Sequence, residues 1–223
     1  EFGRFALKND TLQAILDEAC RLAADGLEVG FAKVLEPLPM ENALLLRAGI
    51  GWRPGLVGHA RIGADLESPA GYAFKTGEPV ISNHLSEEKR FRTPKLMADH
   101  GVKRAVNVII QGEGVPFGVL EADSRDPGAF NPHDIHFLQA LANTLGVAID
   151  KEAARSRIEE LGSELAQREA HLRRAVELNP QIPWAADGEG RIVEFNERWL
   201  DVTGLTLEDA EGEGWLEAIH PDD

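Results

Sequence analysis

The 223-residue chain carries 38 Asp and Glu residues against 23 Lys and Arg residues, a formal net charge of −15 at pH 7. An acidic excess of this size repels phosphate backbones and anionic lipid, so neither nucleic acid nor membrane is an expected partner. The single cysteine excludes an internal disulfide and suits a reducing cytosol, and no apolar run approaches the roughly 20 residues that span a bilayer. We therefore expect a cytoplasmic protein with one complete domain and part of another.

The first part of the chain predicts a helix followed by two strands. Apolar residues recur at helical spacing over 12–23, after a candidate N-cap at Asp10 or Thr11. Residues 31–35 are typical of a strand, and residues 43–48 predict a second strand that pairs back on it.

The middle of the chain predicts short elements and then a hairpin. In chain order these are a helix at 69–75, a strand at 79–82, a helix at 94–100, and strands at 105–111 and 117–123. The segment Gly112-Glu113-Gly114 between the last two strands is a strong turn signal. The two apolar strands are therefore expected to be antiparallel neighbours.

A long helix is predicted from Pro132 to about Leu178, because this stretch contains no further proline. Its first half has an amphipathic face suited to packing on a sheet. In its second half, apolar residues and one arginine recur at alternating spacings of four and three: Ala154, Ile158, Leu161, Leu165, Arg168, Leu172 and Ala175. This heptad pattern predicts a parallel coiled-coil homodimer with Ile158, Leu161, Leu165 and Leu172 at the interface. The alternative is a surface helix folded onto its own domain.

Residues 1–150 resemble a GAF domain in the order of their predicted elements and in several motifs. The matching segments are Gly77-Glu78-Pro79-Val80-Ile81, Phe91, Ala105–Ile110, Pro116-Phe117-Gly118-Val119-Leu120, Phe130 and Asp134. The resemblance implies an α+β fold, with an antiparallel sheet that has helices on one side and a small-molecule pocket on the other. It is greatest to the variant found in sensor histidine kinases and in cyclic-dinucleotide enzymes.

Residues 179–223 resemble the first part of a PAS domain. The similarity lies in Trp184–Ile192, Phe195-Asn196, Trp199, Thr203-Gly204-Leu205 and the final His220-Pro221-Asp222-Asp223. A PAS core needs roughly twice this length. We therefore expect a truncated PAS domain, joined to the GAF-like domain by a signalling helix at 151–178.

The sequence gives no indication of a cofactor, a metal site or catalysis. A GAF domain that binds cyclic nucleotides has Asn-Lys before the phenylalanine and Asp-Glu after it, whereas Ser124-Arg125 and Asp134-Ile135 occupy these places. A methionine-sulfoxide reductase of this fold needs several cysteines, and Cys20 is more typical of a core residue. His171 on the long helix lacks the neighbours of a phosphoacceptor. We expect no enzyme activity, with the catalytic output domain lying outside this chain.

A ligand pocket is predicted on one face of the strand at 105–111. Val106, Val108 and Ile110 form an apolar set suited to packing on helices, while Asn107 lies in the opposite set. A buried amide needs a partner, which is a ligand, a water or a neighbouring side chain. The residues proposed to line the pocket are Tyr72, Phe91, His100, Asn107 and Ile109.

Together these features predict the sensory region of an intracellular signalling protein, of the sensor histidine kinase type. It would sense a small molecule or a partner and relay the change through dimeric helices to an output domain. The alternatives are a ligand-free GAF dimerisation scaffold and the regulatory region of a cyclic-dinucleotide enzyme.

Overall fold

The computed structural model describes residues 2, 3, 5, 11–112, 114–177, 184–189, 191–195, 197–210 and 212–219. The chain divides into two compact units, Glu1–Ser156 and Arg157–Asp223. Within the described part of the chain, no helix is both long and apolar enough to cross a membrane.

The first unit is built on a six-stranded antiparallel sheet in the order β3-β2-β1-β6-β5-β4. Its strands are β1 (Phe31–Leu38), β2 (Ala43–Ile50), β3 (Arg61–Gly63), β4 (Val80–Ser82), β5 (Arg104–Ile110) and β6 (Gly118–Ser124). Strand β6 lies between β1 and β5, so the first and last strands of this sheet in chain order meet in its middle. β3 was not predicted, because three residues with one buried side chain, Ile62, carry almost no periodic signal.

One face of the sheet packs against two helices, α1 (Leu12–Gly26) and the early part of α4 (Pro132–Glu177). The core between them contains buried side chains from β1, β5, β6 and both helices: Ile15, Leu16, Cys20, Val34, Val106, Val108, Ile110, Leu120, Leu138 and Leu145. The apolar set predicted for β5 therefore does face the helices. Thr11 caps α1 by accepting a hydrogen bond from the Ala14 amide, whereas Asp10 lies outside the described residues.

The opposite face is covered by side chains from 52–60, 69–76 and 85–102, which we call the cover. The cover contains α2 (Pro69–Thr76) and α3 (Lys95–Asp99). Ser68 caps α2 through the Gly71 amide, and Gly77 ends it with φ of 75°, a left-handed conformation that favours glycine. Both helices agree closely with the segments predicted at 69–75 and 94–100.

The second unit contains the later part of α4, a two-stranded antiparallel sheet and short helices. The elements are β7 (Trp184–Ala186), β8 (Ile192–Phe195), α5 (Glu197–Thr203), α6 (Leu207–Ala210) and a 3₁₀ turn at Gly214–Ala218. The Asp187 carboxylate accepts hydrogen bonds from the amides of Glu189 and Arg191, which fixes the turn between the strands. The two strands pair as an antiparallel hairpin within the segment that resembles a PAS domain, while Asn196 and the final four residues, 220–223, lie outside the described residues.

The fold class is confirmed as an α+β fold with a curled antiparallel sheet, flanking helices and a long helix. The coiled-coil and PAS parts of that prediction remain predictions.

Candidate functional site

A row of side chains crosses the covered face of the sheet at one level. The pairing register aligns Val80 on β4 with Asn107 on β5, Asn107 with Glu121 on β6, and Glu121 with Lys33 on β1. Residues that are directly opposite on neighbouring strands point to the same face. The row therefore brings one amide, one carboxylate and one ammonium together, and Asp123 lies two residues along β6 on the same face.

Lys33, Glu121, Asp123 and Asn107 form what we call the polar layer, and each is at most 1% exposed. The Lys33 ammonium lies 2.9 Å from Glu121 Oε2 and 2.5 Å from Asp123 Oδ2. It also lies 4.6 Å from the centre of the Trp52 ring, a cation–π distance. A charge cluster this deeply buried is costly to desolvate, so its presence is weak evidence of a stabilising role.

Burial and neighbouring charges shift the pKa values of Lys33 and Glu121 in the polar layer. Burial by itself lowers the pKa of the Lys33 ammonium, but attraction to Asp123 and Glu121 outweighs it, and the pKa is raised. Burial raises the pKa of Glu121 well above its usual range, and the neighbouring Asp123 raises it further against the opposing effect of Lys33. The raised pKa of Glu121 favours the protonated form of its carboxyl in the folded protein.

Several polar atoms of the layer have no hydrogen-bond partner among the described residues. They are Asn107 Nδ2 and Oδ1, Glu121 Oε1 and Asp123 Oδ1. The Lys33 ammonium contacts one oxygen of each carboxylate. A hydrogen bond between the Glu121 and Asp123 carboxyls is among the causes that raise the pKa of Glu121. The Asn107 amide, by contrast, has neither of its polar atoms paired among the described residues, and a buried polar group without a partner costs about 1–3 kcal/mol.

The cover is fastened over the layer by hydrogen bonds at Trp52 and His100. Trp52 Nε1 donates to the Ala32 carbonyl at 3.0 Å, and its ring packs edge-to-face against His100 at 5.0 Å between centres. His100 Nε2 accepts from the Arg53 amide at 3.3 Å, so Nδ1 carries the proton and donates to the Leu96 carbonyl at 2.7 Å. His100 thus joins the loop before β3 to helix α3.

The predicted pocket residues fall into three neighbouring groups. Tyr72 and Phe91 lie edge-to-face at 5.5 Å between ring centres and pack with Val80, the cross-strand neighbour of Asn107. Ile109 packs with the apolar side chains further along the sheet, and His100 packs with Trp52 and Phe31. The structure therefore places Asn107 on the covered face, with Tyr72 and Phe91 at one side and His100 in the cover.

Sequence reasoning missed Lys33, Glu121, Asp123 and Trp52. Lys33, Glu121 and Asp123 are polar residues in strands, and such residues usually face solvent. The one available signal was charge complementarity between Lys33 in one strand and the Glu121-x-Asp123 alternation in another. Among the described residues, no group of three or more His, Cys, Asp or Glu is placed to hold a metal ion.

Strand β5 connects the polar layer to helix α4. Gln139 Nε2 on α4 donates to the Ile109 carbonyl at 3.0 Å. A Cβ built on Gly146 of α4 would lie 2.0 Å from the Gln111 carbonyl oxygen, so only glycine permits this close approach. A displacement of β5 at Asn107 would therefore act directly on α4.

The predicted dimer residues lie on the later part of α4 and are exposed in the single chain. The exposed fractions are 71% for Ile158, 48% for Leu161, 69% for Leu165 and 64% for Leu172. Four large apolar side chains in a regular row on a charged helix are unusual for a surface that faces only water.

Comparisons with known proteins agree with this architecture. The first unit has the fold of the GAF domain of an Acinetobacter phosphoenolpyruvate-protein phosphotransferase, with a TM-score of 0.59 and 21% identity over 70% of this chain and 92% of that one. It is also similar to a free methionine-R-sulfoxide reductase from Neisseria meningitidis, solved in complex with its substrate, with a TM-score of 0.59 and 16% identity over 70% of this chain and 87% of that one.

Shorter sequence matches connect the chain to two larger proteins. It is 47% identical over 53 residues to the uncharacterized protein y4lL of Sinorhizobium fredii, covering 24% of this chain and 6% of that protein. It is 40% identical over 58 residues to the peroxide stress-activated histidine kinase mak1 of Schizosaccharomyces pombe, covering 26% of this chain and 4% of the kinase. The matches thus span only a small part of either relative.

The family itself is shown by a model of the GAF domain, GAF_2, that matches residues 8–150, well over half of the chain. The six-stranded sheet, with one face packed on helices and the other under the cover, and the structural neighbours agree with this match. The chain therefore belongs to the GAF domain family of regulatory and sensory domains.

Proposed function

We propose that this chain is the sensory and relay region of a signal-transduction protein of the histidine kinase type, with no catalytic activity of its own. The domain family and the similarity of a short segment to a histidine kinase support this assignment. A small molecule binds the polar layer beneath the cover. The change passes through β5 and α4 to an output domain.

The observation that carries the proposal is the position of Asn107. Its amide has no partner among the described residues, and it lies on the strand whose Ile109 carbonyl is hydrogen-bonded to Gln139 of α4. A ligand that recruits Asn107 therefore pulls on the strand that holds the helix. A helix has few ways to respond other than rotation or shift, and paired helices transmit both.

The relay also requires that α4 pairs with a second copy of itself. The exposed row of Ile158, Leu161, Leu165 and Leu172 gives the spacing of a two-stranded coiled coil. Parallel pairing is expected because both output domains then lie at the same end.

Light scattering on the full chain tests this dimer. Leu161→Lys/Leu165→Lys puts two charges in the seam and is expected to halve the mass, because the unpaired ammonium groups would be buried. Ser163→Lys/Gln167→Lys, on the outer face of the same helix, is the matched control and should remain dimeric. An unchanged mass for the seam variant would refute pairing through this helix.

A ligand-free dimerisation scaffold is the second candidate, and one observation favours it. The four residues of the polar layer are at most 1% exposed, so a ligand reaches them only if the cover opens. The two functions are separated by Asn107→Leu. In a sensor it abolishes ligand binding and leaves the dimer intact, whereas in a scaffold no compound changes the thermal unfolding of either protein.

A further inference from the structure

The sheet of the first unit has two edge strands, β3 and β4, and their backbone groups are covered to different extents. On β4 the Ile81 carbonyl accepts a hydrogen bond from the Arg90 guanidinium at 2.8 Å, so a side chain of the protein itself covers this edge. On β3 the Gly63 carbonyl accepts a hydrogen bond from Ser68 Oγ at 2.6 Å. The remaining backbone groups of β3 decide whether its edge is open.

The pairing of β3 with β2 determines which of these groups point outward. Just beyond β3, the Ala64 amide donates to the Asn42 carbonyl at 3.1 Å on the side of β2. Alternate residues of an antiparallel pair direct their backbone groups to the partner strand, so Ile62 also faces β2, while Arg61 and Gly63 face outward. Within the described part of the chain, the Arg61 amide, the Arg61 carbonyl and the Gly63 amide have no hydrogen-bond partner.

A groove of about 420 Å³ lies beside this open edge. Residues 61–63 form one wall, and residues 92–96 of the cover form another. Ile62 and Leu96 belong to the same apolar cluster and give the groove an apolar surface. Three strand residues extend about 10 Å, so the groove is suited to a short extended segment that lies along β3.

The groove is lined by more cations than acids, although the protein as a whole is strongly acidic. Arg61, Arg92 and Lys95 line it together with one acid, Asp65, whose carboxylate is already paired with Arg92 at 2.8 Å. The other ion-pair partners of these cations lie outside the lining: Glu41, Glu67 and Asp99. Each of the three cations is more than half exposed, and ion pairs at such positions are weak, so an incoming carboxylate can replace them.

We propose that the edge of β3 binds an extended acidic segment of a partner protein, which adds a strand to the sheet through the outward backbone groups of Arg61 and Gly63. In such a complex the main chain supplies the hydrogen bonds, and alternate side chains supply the specificity. Apolar side chains of the segment share the face of Ile62, and acidic side chains alternate with them. This interaction goes beyond the proposed function and does not depend on it, because the residues of the polar layer do not line the groove.

Three capped pentapeptides test the charge of the segment by NMR titration of the isotope-labelled full chain. They are Val-Glu-Val-Glu-Val and its two analogues with glutamine or lysine in place of glutamate. We expect the glutamate peptide to bind saturably with a Kd of about 1 mM or below, the glutamine peptide about fivefold more weakly, and the lysine peptide about tenfold more weakly or less. The net charge of −15 by itself favours the lysine peptide, so a preference for glutamate reports on the groove.

Methylated peptide amides test whether the main chain pairs with β3. In an added strand, alternate residues direct their N–H groups to the sheet and the others direct theirs to solvent. Methylation of the two glutamate amides and methylation of the central valine amide should therefore have opposite effects. One pattern is expected to abolish binding, and the other to leave the Kd within about twofold.

Arg61→Pro tests whether this edge is the binding site. It removes the outward amide and no hydrogen bond to β2, and proline is tolerated on edge strands. Binding should weaken about tenfold or more relative to Arg61→Ala, which loses the same side chain and keeps the amide. Arg21→Ala removes one exposed charge from α1 and should bind as the wild type does. If Arg61→Pro does not fold, the methylated peptides still test strand addition on the wild type.

Several results would overturn the proposal. They are a preference for the lysine peptide, equal effects of the two methylation patterns, equal binding by Arg61→Pro and Arg61→Ala, and no binding of any of the three peptides. A lower mass of Arg61→Pro than of Arg61→Ala in light scattering would also overturn it, because a second copy of the chain would then occupy this edge. The sensory function is unaffected by these outcomes, since its own test is Asn107→Leu.

Discussion

Replacing Lys33 by Met is the most direct perturbation of the polar layer. Methionine has nearly the length of lysine and no charge, so the substitution leaves Glu121 and Asp123 buried without their shared cation. Removing one partner of a buried ion pair costs about 3–5 kcal/mol, because the remaining charge is left uncompensated. We expect the free energy of unfolding at pH 7 to fall by about that amount.

The pH dependence gives a sharper test than the magnitude. The pKa of Glu121 is raised in the folded protein, so the folded state holds a proton that the unfolded state loses above about pH 4.3. Stability from this group is therefore greatest at low pH and decreases as the pH rises towards the folded pKa. Each proton that the folded state holds and the unfolded state lacks lowers the free energy of unfolding by about 1.4 kcal/mol for each unit that the pH rises.

In Lys33→Met the Glu121 carboxyl loses the cation that opposes its raised pKa, so the folded state holds the Glu121 proton to higher pH than in the wild type. The difference in stability between variant and wild type should then grow as the pH rises, by at most about 1.4 kcal/mol per pH unit. The difference is the informative quantity, since exposed carboxylates titrate alike in both proteins.

Urea unfolding followed by circular dichroism at several pH values measures this directly. A variant within about 1 kcal/mol of the wild type at pH 7, or one with the same pH slope, would refute the reasoning. Lys33→Met/Glu121→Leu/Asp123→Val is the matched control. It removes all three charges, so its stability should recover to the wild-type level or above and lose the additional pH dependence.

Two further predictions concern packing. Gly146→Ala should destabilise the first unit by about 1–3 kcal/mol, because the new Cβ collides with the Gln111 carbonyl. Gly162→Ala on the same helix meets nothing within 4 Å and should be neutral or slightly stabilising. Equal melting temperatures for the two variants would contradict this prediction. Cys20 is the single cysteine, and burial raises the pKa of its thiol to about 12, so iodoacetamide should label it at pH 8 only through unfolding. Rapid labelling of the native protein would show that this helix face opens.

The sequence sufficed for those parts of the fold that local patterns encode. The alternation in β5 assigned Val106, Val108 and Ile110 to the helix-packed face and Asn107 to the other, and the structure agrees. The proline at 132 and the apolar periodicity located helix α4. These predictions succeed because strand alternation and helix periodicity depend on residues that are close in the chain.

The polar layer could not be predicted in the same way. Lys33 and Asp123 are 90 positions apart, and only the pairing of β1 with β6 brings them together. Taken alone, each strand has an ordinary mixture of polar and apolar residues. Its polar side chains could equally well belong to a face of the sheet that is exposed to solvent. Trp52 was likewise missed, because its place over Lys33 depends on the course of an irregular loop.

The position of β1 in the middle of the sheet has a consequence for how the protein is made. A ribosome adding about 5–20 residues per second delivers β6 roughly 4–17 seconds after β1. During this interval the β1–β2 hairpin offers an open edge next to Val34 and Leu35, which invites pairing with another nascent chain. An inward-facing charge is among the devices that keep such an edge from aggregating. Lys33 supplies that charge until the synthesis of β6 brings Glu121 and Asp123 to neutralise it. The residue that makes the folded core polar therefore also protects the partly synthesised sheet from aggregation.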